Sequence, residues 1–379
     1  MSNSKHIIMV GPSYPLRGGL ATFNERLARQ LIKEGHTVKI ITFSLQYPNF
    51  LFPGKTQFSP DPAPEDLDIE VKVNSINPFN WLKVGLQLKK AKPDLIITRF
   101  WLPFMGPSLG TIARLAKNKR TKVLAIIDNM IPHEKRPGDR LLSKYFVKSI
   151  EDFVVMSRSV KEDMKQFISS KQKVLYRPHP IYDNFGPIAN REESLQRLEL
   201  DPSNQYLLFF GFIRDYKGLD LLLKAMADER IRKMNLKAVI AGEFYANEQK
   251  YQDLINELDI RSQLILRTEF IPSEDVRFFF GAADVVVQPY KSATQSGISQ
   301  MAYHFEVPMI VTKVGGLPEI VPNEKVGYVT DVDAKAVADA IVKYYSQDKE
   351  SEFRAGVKVT KGKYSWEYFT EAIYQLAED

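Results

Sequence analysis

A chain of 379 residues exceeds the ~250–300 residues at which a single hydrophobic core stops growing, so its length predicts two domains. Its 44% hydrophobic and 26% charged content is that of an ordinary globular protein, and the lack of cysteine excludes disulfides, thiolate catalysis and cysteine-ligated metals. The 52 basic and 46 acidic residues give a net charge of +6 without a dense Lys/Arg block, which favours small phosphorylated molecules or a membrane surface over nucleic acid.

The sequence predicts no targeting segment. Its start has four consecutive apolar residues before Gly11 and Pro12, far short of the apolar core of a signal peptide. No apolar run approaches the ~20 residues needed to span a bilayer. We therefore expect a cytoplasmic protein, and we leave its association with a membrane surface open.

Short apolar strands alternate with helical stretches along the chain. The first half has strand patterns at residues 6–10, 38–42, 94–98, 122–127 and 153–156, and the second half at 206–210, 237–241, 264–267, 284–288 and 308–312. Near-continuous apolar strands separated by helices predict parallel sheets covered on both faces. A stretch rich in proline and turn residues lies between the two series, at residues 176–194. The fold class is therefore α/β, with two doubly wound, Rossmann-like domains.

The first strand is followed by a glycine-rich loop, in which Gly18 and Gly19 directly precede a helix. This loop lacks the G-x-G-x-x-G spacing, and no acidic residue ends the next strand, so a dinucleotide cofactor is disfavoured. The chain also lacks the P-loop motif of nucleotide triphosphatases. Because ligands of open parallel sheets sit outside the carboxyl ends of the strands, this loop is a candidate for phosphate binding.

The loop after the strand at 206–210 reads GFIRDYKG and holds Arg214 and Lys217 just before an apolar helix. Two cations beside a helix N-terminus suit a diphosphate, because the helix dipole and free N–H groups add to their charge. An ordinary solvated loop is an equally good interpretation of this segment by itself.

A third loop leaves the strand at 284–288 and crosses small and hydroxyl residues to start a helix near Gly297. Its backbone N–H groups and hydroxyls have little bulk around them, so a phosphate can approach closely. The candidate residues are Thr294, Gln295, Ser296, Gly297 and Ile298. The alternative is that Ser296 simply caps the helix.

No metal site is predicted, because no two histidines have metal-ligand spacing. Two Asp-x-Asp triplets, at residues 66–68 and 331–333, are best explained as structural. The amphipathic helix at residues 79–94 either touches a membrane or, more commonly, packs on the sheet. The aromatic cluster at residues 99–104 either stacks on a sugar or closes the core.

The ordered set of motifs resembles the glycosyltransferases of family 4, which have the GT-B fold. The segments that carry the resemblance span nearly the whole chain and are PLRGGLATFNERLARQLIKEGHTVKIIT (15–42), FFGFIRDYKGLDLLLKA (209–225), VIAGEFY (239–245), FIPSEDVRFFFGAADVVVQPY (270–290), VTKVGGLPEIV (311–321), VGYVTDVDAKAVADAI (326–341) and YSWEYFTEAIYQL (364–376). Their order makes the resemblance specific, although each segment by itself is a weak signal.

The resemblance implies transfer of a sugar from a UDP- or GDP-sugar to a hydroxyl of a glycan or lipid-linked acceptor, with retention at the anomeric carbon and without a cofactor. It implies an acceptor-side domain at residues 1–178, a nucleotide-sugar domain at 179–360, and a terminal helix at 361–379 that packs back on the first domain. The donor-binding residues that it implies are Gly18, Gly19, Arg214, Lys217, Gly242, Glu243, Ile271 and the helix start at 294–298. Surface or secreted polysaccharide synthesis is the expected process.

The sequence departs from the family pattern at three places. Phe212 occupies the usual position of the diphosphate arginine, which Arg214 would have to replace. Ala293 and Met301 stand where many members carry a pair of glutamates. Asp128 stands where a histidine is common, with His133 five residues on, so these two are the catalytic candidates, and a turn cap is an equal alternative for Asp128. A non-catalytic sugar-nucleotide or glycan binding protein and a nucleotide-sugar epimerase therefore remain alternatives.

Overall fold

The computed structural model describes residues 4–48, 56–60, 62–132, 136–245, 247–293 and 296–378. The chain divides into unit 1, which comprises Met1–His179 and Trp366–Asp379, and unit 2, which comprises Pro180–Ser365. The first border thus falls one residue beyond the expected domain end at 178. The second falls five residues beyond the expected end at 360, because a 3-10 turn at Gly362–Tyr364 precedes the terminal helix.

Unit 1 is built on a seven-stranded sheet within the described residues. Its elements in chain order are β1 (His6–Val10), α1 (Gly19–Lys33), β2 (Thr37–Leu45), β3 (Asp68–Asn74), α2 (Pro78–Ala91), β4 (Leu95–Phe100), α3 (Gly106–Ala116), β5 (Lys122–Ile127), α4 (Asp139–Val147), β6 (Asp152–Val155), α5 (Arg158–Met164) and β7 (Val174–Tyr176). The strand order is β3-β2-β1-β4-β5-β6-β7, and all the pairs are parallel. The order reverses between β1 and β4, which makes the loops after these strands the natural ligand-binding edge of the sheet.

The strands of unit 1 form because their apolar runs bury side chains on both faces of the sheet. Every residue of β4 is buried, and β4 extends through Phe100, two residues past the strand end expected at 98. Helix α1 covers one face with Phe23, Leu27 and Leu31, whose spacing of four residues aligns them along one side of the helix. A short 3-10 turn at Pro103–Met105 joins β4 to α3.

Unit 2 repeats the same architecture with a six-stranded parallel sheet in its described part. Its elements are α6 (Arg191–Arg197), β8 (Gln205–Phe210), α7 (Leu219–Met226), α8 (Glu229–Arg232), β9 (Leu236–Ala241), α9 (Glu248–Glu257), β10 (Leu264–Arg267), α10 (Val276–Ala282), β11 (Val285–Gln288), α11 (Gly297–His304), β12 (Met309–Thr312), α12 (Leu317–Ile320), β13 (Gly327–Thr330), α13 (Ala334–Ser346) and α14 (Glu350–Lys361). The strand order is β10-β9-β8-β11-β12-β13, so the order reverses between β8 and β11.

The terminal helix α15 (Trp366–Glu378) belongs to unit 1 rather than to the unit that precedes it in the chain. Its buried residues Trp366, Phe369, Ile373 and Leu376 join the core cluster that contains Phe23 of α1. Among the described residues, no helix is both long enough and apolar enough to cross a bilayer.

Candidate functional site

The loop after β8 is shaped by two glycines in the left-handed region of backbone space. Gly211 leaves the strand at φ 93°, and its N–H donates to the carbonyl of Ala241 at 2.8 Å. Gly218, at φ 69°, precedes α7, and a Cβ at this position would lie 1.9 Å from the carbonyl oxygen of Pro289. A side chain cannot be placed there without moving the backbone, so the sequence needs glycine for this turn. The close approach also joins the β8 loop to the loop after β11.

Lys217 lies buried at the end of a 3-10 turn in this loop, with 8% of its surface exposed. Removal from water, together with the positive charge of Arg214, lowers the pKa of its ammonium from 10.5 to about 8, and removal from water is the larger cause. No residue in the described part of the chain forms an ion pair with it, while its nearest acidic neighbours in sequence are engaged elsewhere. Asp215 binds Lys250 at 3.0 Å, and Asp220 binds Lys291 at 2.7 Å.

The Lys217 ammonium faces the start of α11. A Cβ built on Gly211 would lie 3.0 Å from Lys217 Nζ and 3.2 Å from Ile298 Cδ1, so the glycine leaves open a narrow space between the two side chains. Lys217 Nζ also lies 6.0 Å from the ring centre of Tyr290. Lys217 and Ile298, both predicted donor-binding residues, therefore lie on either side of Gly211 within unit 2.

Arg214 is exposed and lies over the ring of Tyr245, with its guanidinium carbon 5.3 Å from the ring centre. Tyr245 in turn packs against Phe212, with ring centres 4.5 Å apart. Phe212, the residue in the usual arginine position, is therefore part of an aromatic support for Arg214. The positive charge of Arg214 contributes to the lowered pKa of Lys217.

Ser296 does not cap helix α11, which corrects the simpler interpretation of this residue. Its hydroxyl donates instead to Gln288 Oε1, at 2.6 Å, and the hydroxyl of Ser299 donates to the same oxygen at 3.1 Å. The first backbone N–H groups of α11 are therefore left without a side-chain cap. Gly297 packs against Tyr182, since a Cβ on this glycine would lie 3.1 Å from the ring.

Gln288 at the end of β11 and Gln300 in the first turn of α11 are both buried, and neither was among the predicted site residues. The amide nitrogen of Gln288 and both polar atoms of Gln300 have no hydrogen-bond partner among the described residues. Unpaired buried amides are costly, so such a cluster is unusual in a packed core. The sequence signal that could have identified Gln288 is its position as a polar residue at the end of the apolar strand β11.

The remaining predicted donor residues of unit 2 have different surroundings. Gly242, at φ 132°, lies against Gly211, because a Cβ on Gly242 would lie 2.6 Å from the carbonyl oxygen of Gly211. Glu243 is half-buried, and its carbonyl accepts a hydrogen bond from Ile213 at 2.8 Å. Ile271 is half-buried and packs on the core of unit 2. Thr294 and Gln295 lie outside the described residues.

The glycine loop of unit 1 also opens a helix without a side-chain cap. Gly18 is the N-cap residue of α1 at φ 109°, and both Gly18 and Gly19 are exposed. The loop is fixed farther back by Glu25 of α1, which accepts hydrogen bonds from the Ser13 hydroxyl at 3.0 Å and from the Tyr14 N–H at 2.9 Å. The N-cap residue thus leaves the first N–H groups of α1 without a side-chain cap, and anion binding at this loop stays a prediction.

Asp128 follows β5 and forms a two-pronged ion pair with Arg99. Arg99 Nε and Nη2 donate to the two carboxylate oxygens at 2.7 and 2.6 Å. Arg99 is 4% exposed and lies 4.0 Å above the ring of Phe23. Sequence reasoning missed Arg99, because the strand was expected to end before it. His133, the other catalytic candidate, lies outside the described residues.

A cavity of about 440 Å³ lies in unit 1 beyond the carboxyl end of β4. Tyr47, Trp101 and Phe104 line it, together with Asn129 and Arg136. Trp101 Nε1 donates to the Tyr47 hydroxyl at 2.5 Å, and the rings of Tyr47 and Phe104 stack at 6.4 Å. The aromatic cluster after β4 therefore forms a concave wall as well as packing on the core.

The Asp-x-Asp triplets are engaged in structural contacts. Asp66 binds Arg29 at 2.5 Å, Asp68 binds Lys39 at 3.2 Å, and Asp333 caps α13 by accepting from Ala336 N at 3.0 Å. Across the residues that the structure describes, no cluster of histidines and carboxylates could hold a metal ion.

Two doubly wound parallel sheets in one chain, each with loops at the point where its strand order reverses, are the architecture of the GT-B fold. HepE from Anabaena, solved in complex with UDP, has this fold and matches with a TM-score of 0.71 and 14% identity, over 98% of each chain. The fold predicted from the sequence is thus confirmed.

Two family models match the chain, one in each half. Glycosyltransferase Family 4 matches residues 17–181, and Glycosyl transferases group 1 matches residues 190–357. An uncharacterized glycosyltransferase of Methanocaldococcus jannaschii is 24% identical over 98% of both chains. The D-inositol 3-phosphate glycosyltransferase of Thermobifida fusca is 24% identical over 83% of this chain and 77% of its own. The chain belongs to these glycosyltransferase families, and the protein is a glycosyltransferase, as the resemblance predicted.

Proposed function

We propose that the protein transfers a sugar, with retention at the anomeric carbon, from a UDP- or GDP-sugar to a hydroxyl of a glycan or lipid-linked acceptor. The observation that carries the proposal is Lys217, a buried ammonium that has no counter-ion among the described residues and that faces the start of α11, where Ser296 provides no side-chain cap. A donor diphosphate would supply the missing negative charge at this position. HepE, a structural neighbour, binds UDP, which supports a uridine or related nucleotide as donor.

The proposed chemistry needs stabilisation of the charge that develops on the leaving diphosphate. Lys217 and Arg214 supply two positive charges, and the N–H groups at Gly297 and Ile298 supply hydrogen-bond donors, all from unit 2. Groups fixed before the reaction cost no reorganisation when the bond breaks, which is the main source of such stabilisation. This arrangement would work without a metal or a resident cofactor.

We propose the aromatic cavity of unit 1 as the acceptor side. Rings of Trp101, Tyr47 and Phe104 offer apolar faces of the kind on which sugar rings stack, and Asn129 and Arg136 offer polar groups for hydroxyls or phosphates. Retention, the acceptor and a role in surface or secreted polysaccharide synthesis are parts of this proposal. Its expected setting is the cytoplasm, with peripheral contact to a membrane where a lipid-linked acceptor is used.

The sequence predicts that Asp128 and His133 act on the acceptor hydroxyl, and for His133, which lies outside the described residues, this stays a prediction. Because both oxygens of Asp128 are bound by Arg99, the geometry supports a positioning role for Asp128 in unit 1.

The test is calorimetric titration of the full chain with UDP, GDP, ADP and CMP. We expect selective micromolar binding of one nucleoside diphosphate, followed by transfer from a sugar nucleotide of the same base to a glycan acceptor. Binding without transfer from any such donor would favour the non-catalytic alternative, to which the missing glutamates at Ala293 and Met301 point. Interconversion of the donor sugar without an acceptor would favour the epimerase. Failure of all four nucleotides to bind would contradict the donor site itself.

A further inference from the structure

Helix α2 presents an apolar stripe to solvent. Phe79, Leu82 and Leu86 are 82%, 44% and 56% exposed, whereas Val84 and Leu88 on the other side of the helix are buried. At 100° per residue the three exposed side chains fall within about 60° of one another, nearly opposite the buried pair. A surface helix of a globular protein normally carries polar residues in that position.

The orientation of α2 is fixed by close packing, so the exposure does not come from a loosely held helix. A Cβ on Gly85 would lie 2.8 Å from Leu115 Cβ of α3, which shows that the two helices approach as closely as a missing side chain allows. Asn77 caps the helix by accepting from Asn80 N at 3.2 Å. Trp81 donates from Nε1 to the carbonyl of Asn74 at 2.6 Å.

Lysines flank the apolar stripe on both sides. On the helical projection Lys83 and Lys90 lie along one edge and Lys89 along the other, with Lys92 just beyond the helix. All four side chains are exposed, and none forms an ion pair with a described residue. Helix α2 contains no aspartate or glutamate, so its three lysines have no opposite charge on the helix itself, and the first acidic residue after it is Asp94, two residues beyond Lys92.

We propose that this stripe, Phe79, Leu82 and Leu86 with Lys83, Lys89 and Lys90, docks unit 1 on a membrane that contains anionic lipids. An apolar stripe with lysines at its edges is the arrangement by which a helix lies in the interface, with its apolar side chains in the acyl region and its ammonium groups among the headgroups. Uncompensated lysines are attracted to an anionic surface. The positions of the lysines thus favour an anionic lipid surface as the binding partner of this stripe.

A second copy of the chain fits this face less well. Lysine is depleted in the cores of protein interfaces, and two copies of the stripe face to face would bring like charges together. The inference rests on the proposed function in one respect, the class of acceptor. A docked enzyme suits a lipid-linked acceptor, which is confined to the same surface.

The experiment is sedimentation of the full chain with vesicles of phosphatidylcholine, alone and with about 30 mol% phosphatidylglycerol. We expect binding to the anionic vesicles only, weakened at about 0.5 M salt. Phe79→Asn/Leu86→Asn should weaken this binding at least about tenfold, because it removes apolar surface from the membrane contact. Lys83→Gln/Lys89→Gln/Lys90→Gln should remove the preference for anionic lipid. The matched control is Val359→Asn, which changes an 83% exposed valine of α14 and should bind like the parent protein.

Three results would overturn the proposal. One is no binding by the parent protein, and another is binding of the Phe79/Leu86 variant equal to that of the parent. The third is a dimer in analytical ultracentrifugation that only this variant abolishes, which would assign the face to a second copy. Nucleotide titration of the same variant keeps the two proposals apart. Vesicle binding without nucleotide binding would defeat the donor site and leave the docking surface standing.

Discussion

Lys217 is held in a state that favours an incoming anion. Its ammonium is buried, has no counter-ion among the described residues, and shares its loop with the positive charge of Arg214. A cation in such surroundings destabilises the empty site, and that cost is relieved when a diphosphate binds. The unfavourable burial of Lys217 in the empty site therefore increases the free energy gained when a diphosphate binds.

Replacement of Lys217 by alanine tests this role directly. Lys217→Ala should weaken nucleoside diphosphate binding by about 1.5–3 kcal/mol, the range for a hydrogen bond to a charged group, and calorimetry measures it. Lys224→Ala is the matched control, because Lys224 is exposed on the adjoining helix α7 and should leave the affinity unchanged. Equal affinity of Lys217→Ala and the parent would remove Lys217 from the site.

The pKa of about 8 for Lys217 predicts a dependence of binding on pH. A bound diphosphate stabilises the charged ammonium and raises this pKa, so binding at pH 8 should take up about half a proton. Above pH 8 the affinity should fall by up to about tenfold per pH unit. Titrations in buffers of different ionisation enthalpy measure the uptake. Lys217→Arg, which stays charged, should keep binding but show neither the uptake nor this slope, and an unchanged slope would assign it to another group.

The same lowered pKa has the opposite effect on the stability of the empty protein. Between pH 8 and 10.5 the folded chain has released the Lys217 proton while the unfolded chain still holds it. Stability contributed by this group therefore rises with pH across that window. Binding and stability should thus respond to pH in opposite directions, which separates a specific effect at Lys217 from general unfolding.

At the scale of elements, β4 and β5 bring Arg99 and Asp128 together. The two strands are parallel neighbours with Phe100 opposite Ile127, so the residues at their carboxyl ends meet at one edge of the sheet. The pair is supported by the ring of Phe23 and by Asn24 of α1, whose side-chain oxygen lies 3.3 Å from Arg99 Nη1. This contact ties α1 to the sheet, close to the loop that holds Gly18.

Asp128→Ala should destabilise the protein by about 3 kcal/mol, because it leaves the buried guanidinium of Arg99 without its partner. Urea denaturation measures the change. Arg99→Met/Asp128→Leu should recover much of the loss, since it removes both charges together. If Asp128→Ala instead keeps its stability while turnover alone collapses, Asp128 acts on the substrate and the positioning role is wrong.

Sequence patterns located ten of the thirteen described strands and the loops after them, because apolar runs and glycines act locally, and they missed β3, β7 and β13. The pairing of Arg99 with Asp128 was not predictable, since it depends on the register of two strands and on a strand end misjudged by two residues. The cap of α11 failed for a related reason. Gln288, eight residues before Ser296 in the chain, accepts the serine hydroxyl that local propensity assigns to the helix. Local sequence patterns do not predict this hydrogen bond, because Gln288 reaches Ser296 only in the folded sheet.

At the scale of the whole molecule, the chain returns to its first unit at the end. Helix α15 buries four large apolar side chains in the core of unit 1, so this unit is complete only after unit 2 has been synthesised. Only the resemblance to the family predicted this terminal helix and its return to the first unit. The three tryptophans, Trp81, Trp101 and Trp366, all lie in unit 1, so their fluorescence reports on that unit selectively.

Ile373→Ala in α15 should therefore lower the midpoint of the tryptophan fluorescence transition in urea. Ile373 is 1% exposed, and truncation of a buried isoleucine to alanine costs about 2–5 kcal/mol. Val359→Ala, at an exposed position of α14 in unit 2, is the control. Its free energy of unfolding should stay within about 0.5 kcal/mol of that of the parent, so the midpoint should not move. Because the Lys217 loop lies wholly in unit 2, Ile373→Ala should retain nucleotide binding in the absence of urea. A fluorescence transition that does not respond to Ile373→Ala would mean that α15 unfolds separately, and that unit 1 holds its core without its last helix.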